Sequence, residues 1–160
     1  MKIGNKESIL FVLDKKQKNI RGLQFYLGDK LISDENIFIP TYIAVFERFL
    51  KSIIAEQFRN VSMEFLLPEQ RFRKLNKERD SDEDQFFKHL LHLDETIDQY
   101  GIFIFQFNNL INFSWNCWDK HNCNSDHELN KIYTVSITSD ELISTINELI
   151  LELKNNSIIY

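Results

Sequence analysis

Hydrophobic and polar residues alternate near the start of the chain as they do in β-strands. Residues 9–13 form an apolar run, and apolar side chains then alternate with polar ones over residues 23–27. Two such runs separated by a polar stretch predict a β-hairpin. The sequence then predicts a turn at Gly28-Asp29, a continuation of the sheet at Leu31-Ile32, and a polar loop over Ser33 to Asn36.

Three later segments have the helical period, with apolar residues recurring every three or four positions. The first predicted helix covers Thr41 to Phe58. The second begins at Ser81, a good N-cap, and continues to Tyr100, because Gly101 supplies a stop signal. The third begins at a capping box made by Thr138 and Glu141. These three helices are predicted to be amphipathic, with one apolar face toward the core.

The segment between the first two helices has a weaker pattern. Val61, Met63 and Phe65 alternate briefly, which is typical of a strand or of a loop packed on the core. Residues 69–80 are dominated by charge and have only Phe72 and Leu75 as apolar anchors. They are therefore predicted to be an exposed loop or a weak helical turn.

Three strands are predicted between the second and third helices, at Ile102 to Phe107, Leu110 to Trp118 and Ile132 to Ile137. Asn108-Asn109 fits a two-residue hairpin turn, because asparagine tolerates positive φ. In the middle strand the face that contains Trp115 is predicted to be core, and the face with the asparagines is predicted to be partly wet.

Strands grouped in hairpins rather than alternating with helices indicate an α+β fold. At 160 residues the chain is long enough for one domain. We predict a single domain over residues 1–154, in which an antiparallel sheet of about five strands has three helices packed mainly on one face. Residues 155–160 are predicted to be a frayed tail.

Composition excludes several classes of function. The net charge is −5 and the pI is about 5.4, so direct binding to nucleic acid or to anionic lipid is not expected. The apolar runs are far shorter than the roughly 18–20 residues that cross a bilayer. The N-terminus lacks the long apolar region of a signal peptide, which predicts a cytoplasmic protein without a membrane span. Two basic runs, 15–21 and 71–79, are predicted to be solvated surface.

Cys117, His121, Cys123 and His127 are zinc-ligand types close together in the sequence. The cysteines and the histidines interleave instead of forming the usual separate pairs, so a metal site is only an alternative, as is a thiol nucleophile. Without a secretion signal the two cysteines are predicted to be reduced thiols. The chain also lacks glycine-rich phosphate loops and a nucleophile elbow. We therefore predict no catalytic residues, no cofactor and no enzyme activity.

Trp118 is predicted either to pack in the core or as an anchor of its loop, or to contact another protein, for which it is the best candidate in the chain. Tryptophan is a favoured anchor in protein interfaces, and this one falls on the polar face of its strand and leads into a polar loop. Trp115, on the opposite face, is predicted to be core.

Three stretches of the sequence carry a resemblance to a known group. Residues 1–6 run directly into the first strand, a second strand ends in Leu27-Gly28-Asp29-Lys30-Leu31, and Phe113-Ser114-Trp115-Asn116 precedes a polar loop, the strand Tyr133-Thr134-Val135-Ser136-Ile137 and a closing helix. In these features the chain resembles the immunity proteins of bacterial polymorphic toxins and of contact-dependent growth inhibition. Among them it is most similar to immunity family forty-two.

The resemblance implies a small cytosolic protein that binds the toxic C-terminal domain of a cognate toxin and blocks it without catalysis. Many such toxins are basic nucleases, which an acidic inhibitor would attract. The alternatives are a non-catalytic adaptor or regulatory domain that binds another protein and, less favoured, a small zinc- or thiol-dependent enzyme. The partner-binding residues expected on this basis are Asp80, Asp82, Glu83, Asp84, Trp118, Asp119, Asp126 and Glu128.

Overall fold

The computed structural model describes residues 1–15, 17–79, 81, 83–93 and 99–155, with only the backbone of Glu83. In chain order the elements are β1 (Lys2–Gly4), β2 (Ile9–Leu13), β3 (Ile20–Leu27), β4 (Lys30–Phe38), α1 (Ile39–Ile54), a 3₁₀ helix (Val61–Met63), α2 (Pro68–Glu78), α3 (Glu83–His89), β5 (Tyr100–Phe107), β6 (Leu110–Cys117), β7 (Tyr133–Thr138) and α4 (Ser139–Asn155). None of the helices described is long and apolar enough to cross a membrane. The expected tail beyond residue 155 lies outside the described residues.

The strands form two antiparallel sheets, so the prediction of one sheet of about five strands was wrong. The first sheet has the order β1-β2-β3-β4, and the second has the order β5-β6-β7. The helices between β4 and β5 separate the two groups of hairpins, and each group pairs within itself. Strand patterns in a sequence reveal which face is buried but not which strands are neighbours. The coarser expectation, antiparallel strands combined with helices in an α+β arrangement, is confirmed, with four α-helices in the described part instead of three.

The predicted hairpin is confirmed as β2 and β3, in which Ile9 lies opposite Leu27. The predicted polar loop over Ser33 to Asn36 is instead part of β4. This strand is at the edge of its sheet, where polar side chains such as those of Asp34 and Glu35 reach water while Ile32 stays buried. The short strand β1 had no clear sequence pattern and was not predicted.

The main core lies between the first sheet and one face of the second, with α1 and α4 packed against each other. Phe46 of α1 stacks edge-on against Phe11 of β2, and Leu149 of α4 is fully buried. One half of the predicted capping box is present, since the Glu141 amide donates to Oγ1 of Thr138 at 3.2 Å. Both amphipathic helices were predicted correctly because their apolar stripes are long and regular.

Helix α2 covers the other face of the second sheet, where the sequence predicted an exposed loop or a weak helical turn. Phe72 and Leu75 of α2 pack on Phe103 and Phe105 in a second hydrophobic cluster. Because of this cover, Asn112 is buried on the face that was predicted to be partly wet. Two apolar anchors suffice for this helix because Pro68 starts its first turn and a buried arginine adds contacts.

The second predicted helix is much shorter than its periodic pattern. Helix α3 ends at His89, and the Leu91 amide donates to the carbonyl of Ile102 at 2.8 Å. Tyr100, the predicted last anchor of that helix, is instead the first residue of β5. Leu91 and Leu93 are buried although they lie beyond the end of α3, so the helical period alone did not fix the element. Residues 94–98 of the predicted helix lie outside the described residues.

Two further predictions hold in the second sheet. Asn108 has φ of 51° in the turn between β5 and β6, as expected for an asparagine hairpin turn. Trp115 is only 2% exposed and lies in the main core.

Candidate partner-binding loop

The segment 118–132 joins β6 to β7 and contains most of the predicted partner-binding residues. It begins with Trp118, which is 58% exposed, directly after the buried Cys117. The alternation of β6 places Trp115 and Cys117 inside and leaves Trp118 beyond the end of the strand. An exposed indole on a loop is the kind of group that anchors a protein interface.

A disulfide joins Cys117 to Cys123 across the start of this loop. The prediction of two reduced thiols was therefore wrong. The cysteines are six positions apart, and a tight turn at Asp119 brings them together, with the Cys123 amide donating to the Asp119 carbonyl at 3.1 Å. Proximity of this kind depends on the turn, so the spacing alone did not reveal it.

The disulfide also bears on the two chemical alternatives. A sulfur in a disulfide is neither a thiolate nucleophile nor a zinc ligand. Among the residues that the structure describes, no three His, Cys, Asp or Glu side chains are grouped so that they could hold a metal ion. His121 and His127 do not converge with the cysteines on one point in this loop.

Asp119 organises the turn rather than pointing to solvent. Its Oδ1 accepts from the His121 amide at 3.0 Å, and its Oδ2 accepts from Nδ2 of Asn122 at 2.5 Å. The hydrogen bond from Asn122, followed by that from His121, lowers the pKa of the Asp119 carboxyl. Its carboxylate is therefore ionised but already occupied by partners within the loop.

A chain of hydrogen bonds runs from the core to the loop through His127. The indole N–H of Trp115, which can only donate, forms a hydrogen bond to Nε2 of His127 at 3.1 Å. That nitrogen must then carry the lone pair, so Nδ1–H donates to Oδ1 of Asp126 at 2.7 Å. Burial lowers the pKa of His127 and outweighs the neighbouring Asp126 carboxylate, which acts in the opposite direction. The imidazole is a neutral bridge in a fixed tautomer.

The loop is fastened to the edge of the first sheet at Leu31 in β4. Oδ2 of Asp126 accepts from the Leu31 amide at 2.9 Å, and Nδ2 of Asn124 donates to the Leu31 carbonyl at 2.7 Å. The same Asn124 amide group donates to the Tyr100 hydroxyl at 2.8 Å. Asp126 and Asn124 thus pair with the backbone N–H and C=O of Leu31, as a neighbouring strand would. Because Asn124 also bonds to Tyr100 in β5, it links the two sheets.

The remaining acidic candidates are on the surface or outside the described residues. Glu128 is exposed, and its Oε1 accepts from Lys131 Nζ at 2.6 Å, which lowers the pKa of that carboxyl. Asp84 is exposed on α3, away from this loop in the chain. Asp80, Asp82 and the side chain of Glu83 lie outside the described part, so the structure does not place them. Asp119 and Asp126 belong to the loop's internal bonding, while Trp118 and Glu128 face solvent.

A groove of about 650 Å³ beside β7 was not evident from the sequence. Its walls come from both sheets, with Gly28 and Lys30 at the turn between β3 and β4 facing Tyr133. Lys30 Nζ lies 5.5 Å from the centre of the Tyr133 ring. No local motif signals such a groove, because its two walls are about a hundred residues apart in the chain.

No family model and no curated protein matches this sequence. Among solved structures, the chain is similar to the crystal structure of CdiI from Burkholderia dolosa AUO158. The superposition has a TM-score of 0.67 and covers 95% of this chain and 99% of that chain, at 17% sequence identity. The two chains share a fold. The match extends over both sheets and the helices that cover them, because almost nothing of either chain is left out.

Proposed function

We propose that this chain is an immunity protein that binds and neutralises the toxic C-terminal domain of a contact-dependent or secreted bacterial toxin. The observation that carries the proposal is the shared fold with CdiI over 95% of this chain and 99% of that one. The sequence resemblance to immunity proteins, with family forty-two as the proposed group, supports it independently. Under this proposal the protein acts in the cytoplasm, by binding alone and without a cofactor.

The exposed part of the loop 118–132 is a proposed contact surface for the toxin. Trp118 supplies an aromatic anchor, and Glu128 supplies negative charge in a chain of net charge −5. A basic nuclease domain would be attracted to such a surface, with a faster association at low salt. Asp84, with Asp80, Asp82 and Glu83 of the same acidic run, is proposed to add to this attraction.

The internal bonds of the loop support a role in binding because they fix its backbone before a partner arrives. The Asp119 turn and the Asn124 and Asp126 bonds to Leu31 restrain the segment that carries Trp118. A loop that is already ordered loses less conformational entropy on association, which improves affinity.

The test is a protection assay with a candidate toxin, which is to be sought as the C-terminal domain of a large secreted protein encoded next to this chain. Bacteria that produce the toxin domain in their cytoplasm should stop growing, and co-production of this chain should restore growth. A mismatched toxin domain from an unrelated system should remain toxic, which controls for a general stress response. Growth arrest that persists in the presence of soluble, folded chain would reject the proposed function.

A further inference from the structure

The segment 61–67, made of the 3₁₀ helix and the turn before α2, exposes three apolar side chains. Phe65 is 94% exposed, and Val61 and Leu67 are both more than half exposed. Isolated exposed apolar residues are ordinary on protein surfaces, but a cluster in one short segment is typical of an interaction site. Aromatic residues such as phenylalanine are enriched in the buried centres of protein interfaces.

A buried arginine fixes the backbone of this turn. Arg71 is only 6% exposed, and its Nε donates to the Met63 carbonyl at 2.9 Å while one terminal nitrogen donates to the Glu64 carbonyl at 3.2 Å. On the other side of Phe65, the Leu67 amide donates to Oε1 of Gln70 at 2.9 Å. The backbone is therefore held on both sides of the exposed ring.

The same arginine is anchored in the second sheet. Its other terminal nitrogen donates to Oδ1 of Asn112 in β6 at 2.8 Å, and the guanidinium lies 4.2 Å from the centre of the Phe107 ring. The prediction that the basic run 71–79 is solvated surface was thus wrong for Arg71. By tying the turn to the sheet, Arg71 presents Phe65 from a rigid base, which lowers the entropic cost of burying the ring against a partner.

The surface next to this turn is basic, although the protein as a whole is acidic. Helix α2 exposes Arg73, Lys74 and Lys77. The carboxylates on this surface are the exposed Glu69, the partly exposed Glu78 at the end of α2, and the exposed Glu64 in the turn. None of these three cations forms an ion pair with another residue in the described part of the chain. Two copies of this face would repel each other, so the charge favours a partner face bordered by carboxylates over the same face of a second copy.

We propose that the turn at Phe65 and the basic face of α2 form a second contact surface for the toxin domain. The Phe65 ring enters an apolar depression on the toxin that is bordered by carboxylates, which meet Arg73, Lys74 and Lys77. This inference rests on the proposed function and adds a chemical description of the partner's docking face. A specific interface involves roughly 20–30 residues on each partner. The loop 118–132 alone is smaller than that.

The test measures the Kd between the full-length chain and the candidate toxin domain for matched pairs of variants. Phe65→Ala should weaken binding by about tenfold or more, because truncating a central aromatic anchor commonly has at least this effect. Leu151→Ala, which removes an exposed apolar side chain from α4, should change the Kd less than about twofold. Since neither side chain is part of the core, both variants should remain folded.

The contribution of the basic face is tested by comparing Lys74→Glu with Lys2→Glu, the same change at an exposed position of β1. Lys74→Glu should slow association and should change the salt dependence of the association rate, whereas Lys2→Glu should leave both close to wild type. Tighter binding by Lys74→Glu would overturn the assignment of an acidic partner face. If the wild-type chain binds the toxin and Phe65→Ala binds equally well, the second surface is wrong and the proposed function stands. If the wild-type chain does not bind at all, both are rejected.

Discussion

The indole of Trp115 donates to Nε2 of His127 at 3.1 Å, and this one bond decides the state of the imidazole. An indole N–H cannot accept, so His127 must offer a lone pair there and keep its proton on Nδ1 for Asp126. Protonation of His127 would place two N–H groups against each other in a buried position. The core of the second sheet and the loop 118–132 are therefore coupled through a neutral histidine.

The first prediction concerns the pH dependence of stability. Burial lowers the pKa of His127 in the folded state below its ordinary value of 6.5, and burial lowers that of His89 in the same way. Below about pH 6.5 the unfolded chain then binds more protons than the folded chain, so the free energy of unfolding should fall as the pH falls. Urea unfolding at about pH 7.5 and about pH 5.5 measures this loss.

His127→Gln should reduce the difference between the two pH values, because one of the two buried histidines no longer titrates. The same change at the exposed His121 should leave the difference unchanged. A His127→Gln protein with the full wild-type pH dependence would show that this imidazole is not held neutral.

The second prediction concerns the attachment of the loop to the first sheet. Asn124→Ala removes the bonds to the Leu31 carbonyl and to the Tyr100 hydroxyl, both in partly buried positions. The loss should lower the free energy of unfolding by about 1–3 kcal/mol, since the Leu31 carbonyl loses its side-chain donor and the Tyr100 hydroxyl keeps only the bond from the backbone amide of residue 124. Asn122→Ala is the control, because its side chain donates to Asp119 in a hydrogen bond that is exposed to solvent, and its loss should cost roughly 0.5 kcal/mol or less. Equal effects of the two changes would contradict the attachment.

The third prediction concerns the disulfide between Cys117 and Cys123. Closing a loop of this length stabilises a protein by ~2 kcal/mol, mainly by restricting the unfolded chain. A reducing agent should therefore lower the thermal midpoint of the wild-type protein. The double variant Cys117→Ala/Cys123→Ala should have a lower midpoint from the start and should not respond to reductant. A wild-type midpoint that is insensitive to complete reduction would contradict the prediction.

The fourth prediction concerns Arg71. Replacing it with Met keeps the aliphatic bulk over Phe107 but leaves the Met63 and Glu64 carbonyls and the Asn112 side chain without their donor. Loss of bonds to a buried charged group should cost about 2–4 kcal/mol of unfolding free energy. Arg73→Met on the same helix lies at an exposed position and should cost less than about 0.5 kcal/mol. Comparable costs for the two variants would show that Arg71 does not hold the turn.

Local sequence patterns predicted the long amphipathic helices and most strands, because α1, α4 and the hairpins each bury a regular face. They failed where tertiary contacts decide the structure. Helix α2 depends on Arg71 reaching Asn112, and β4 continues through polar residues because it lies at a sheet edge. The division into two sheets depends on strand pairing, which no local pattern contains.

The candidate loop was predicted in part. Burial of Trp115 was predicted correctly from the alternation of β6. Trp118 was predicted to be part of that strand, but the strand ends at Cys117 and leaves the indole exposed. The roles of Asp119 and Asp126 were not predicted, because an acidic side chain looks the same in a sequence whether it faces a partner or accepts hydrogen bonds from its own loop. The disulfide was missed because the turn that brings Cys117 to Cys123 is formed by the Asp119 carbonyl and side chain.

The second surface at Phe65 was also missed. Its alternation with Val61 and Met63 suggested a strand or a core-packed loop, whereas only Met63 of the three is buried. The exposed position of the ring follows from the way Arg71 holds the neighbouring carbonyls, which involves contacts outside the segment itself.

The most direct test of the immunity function is a titration of the purified chain against the purified candidate toxin domain, with residual toxin activity measured in the same samples. We predict saturable binding with a Kd below about 1 μM, as expected for a specific complex. Toxin activity should fall to background as the sites fill. If the folded chain shows no binding at concentrations above about 1 μM and leaves toxin activity unchanged, the proposed function is contradicted.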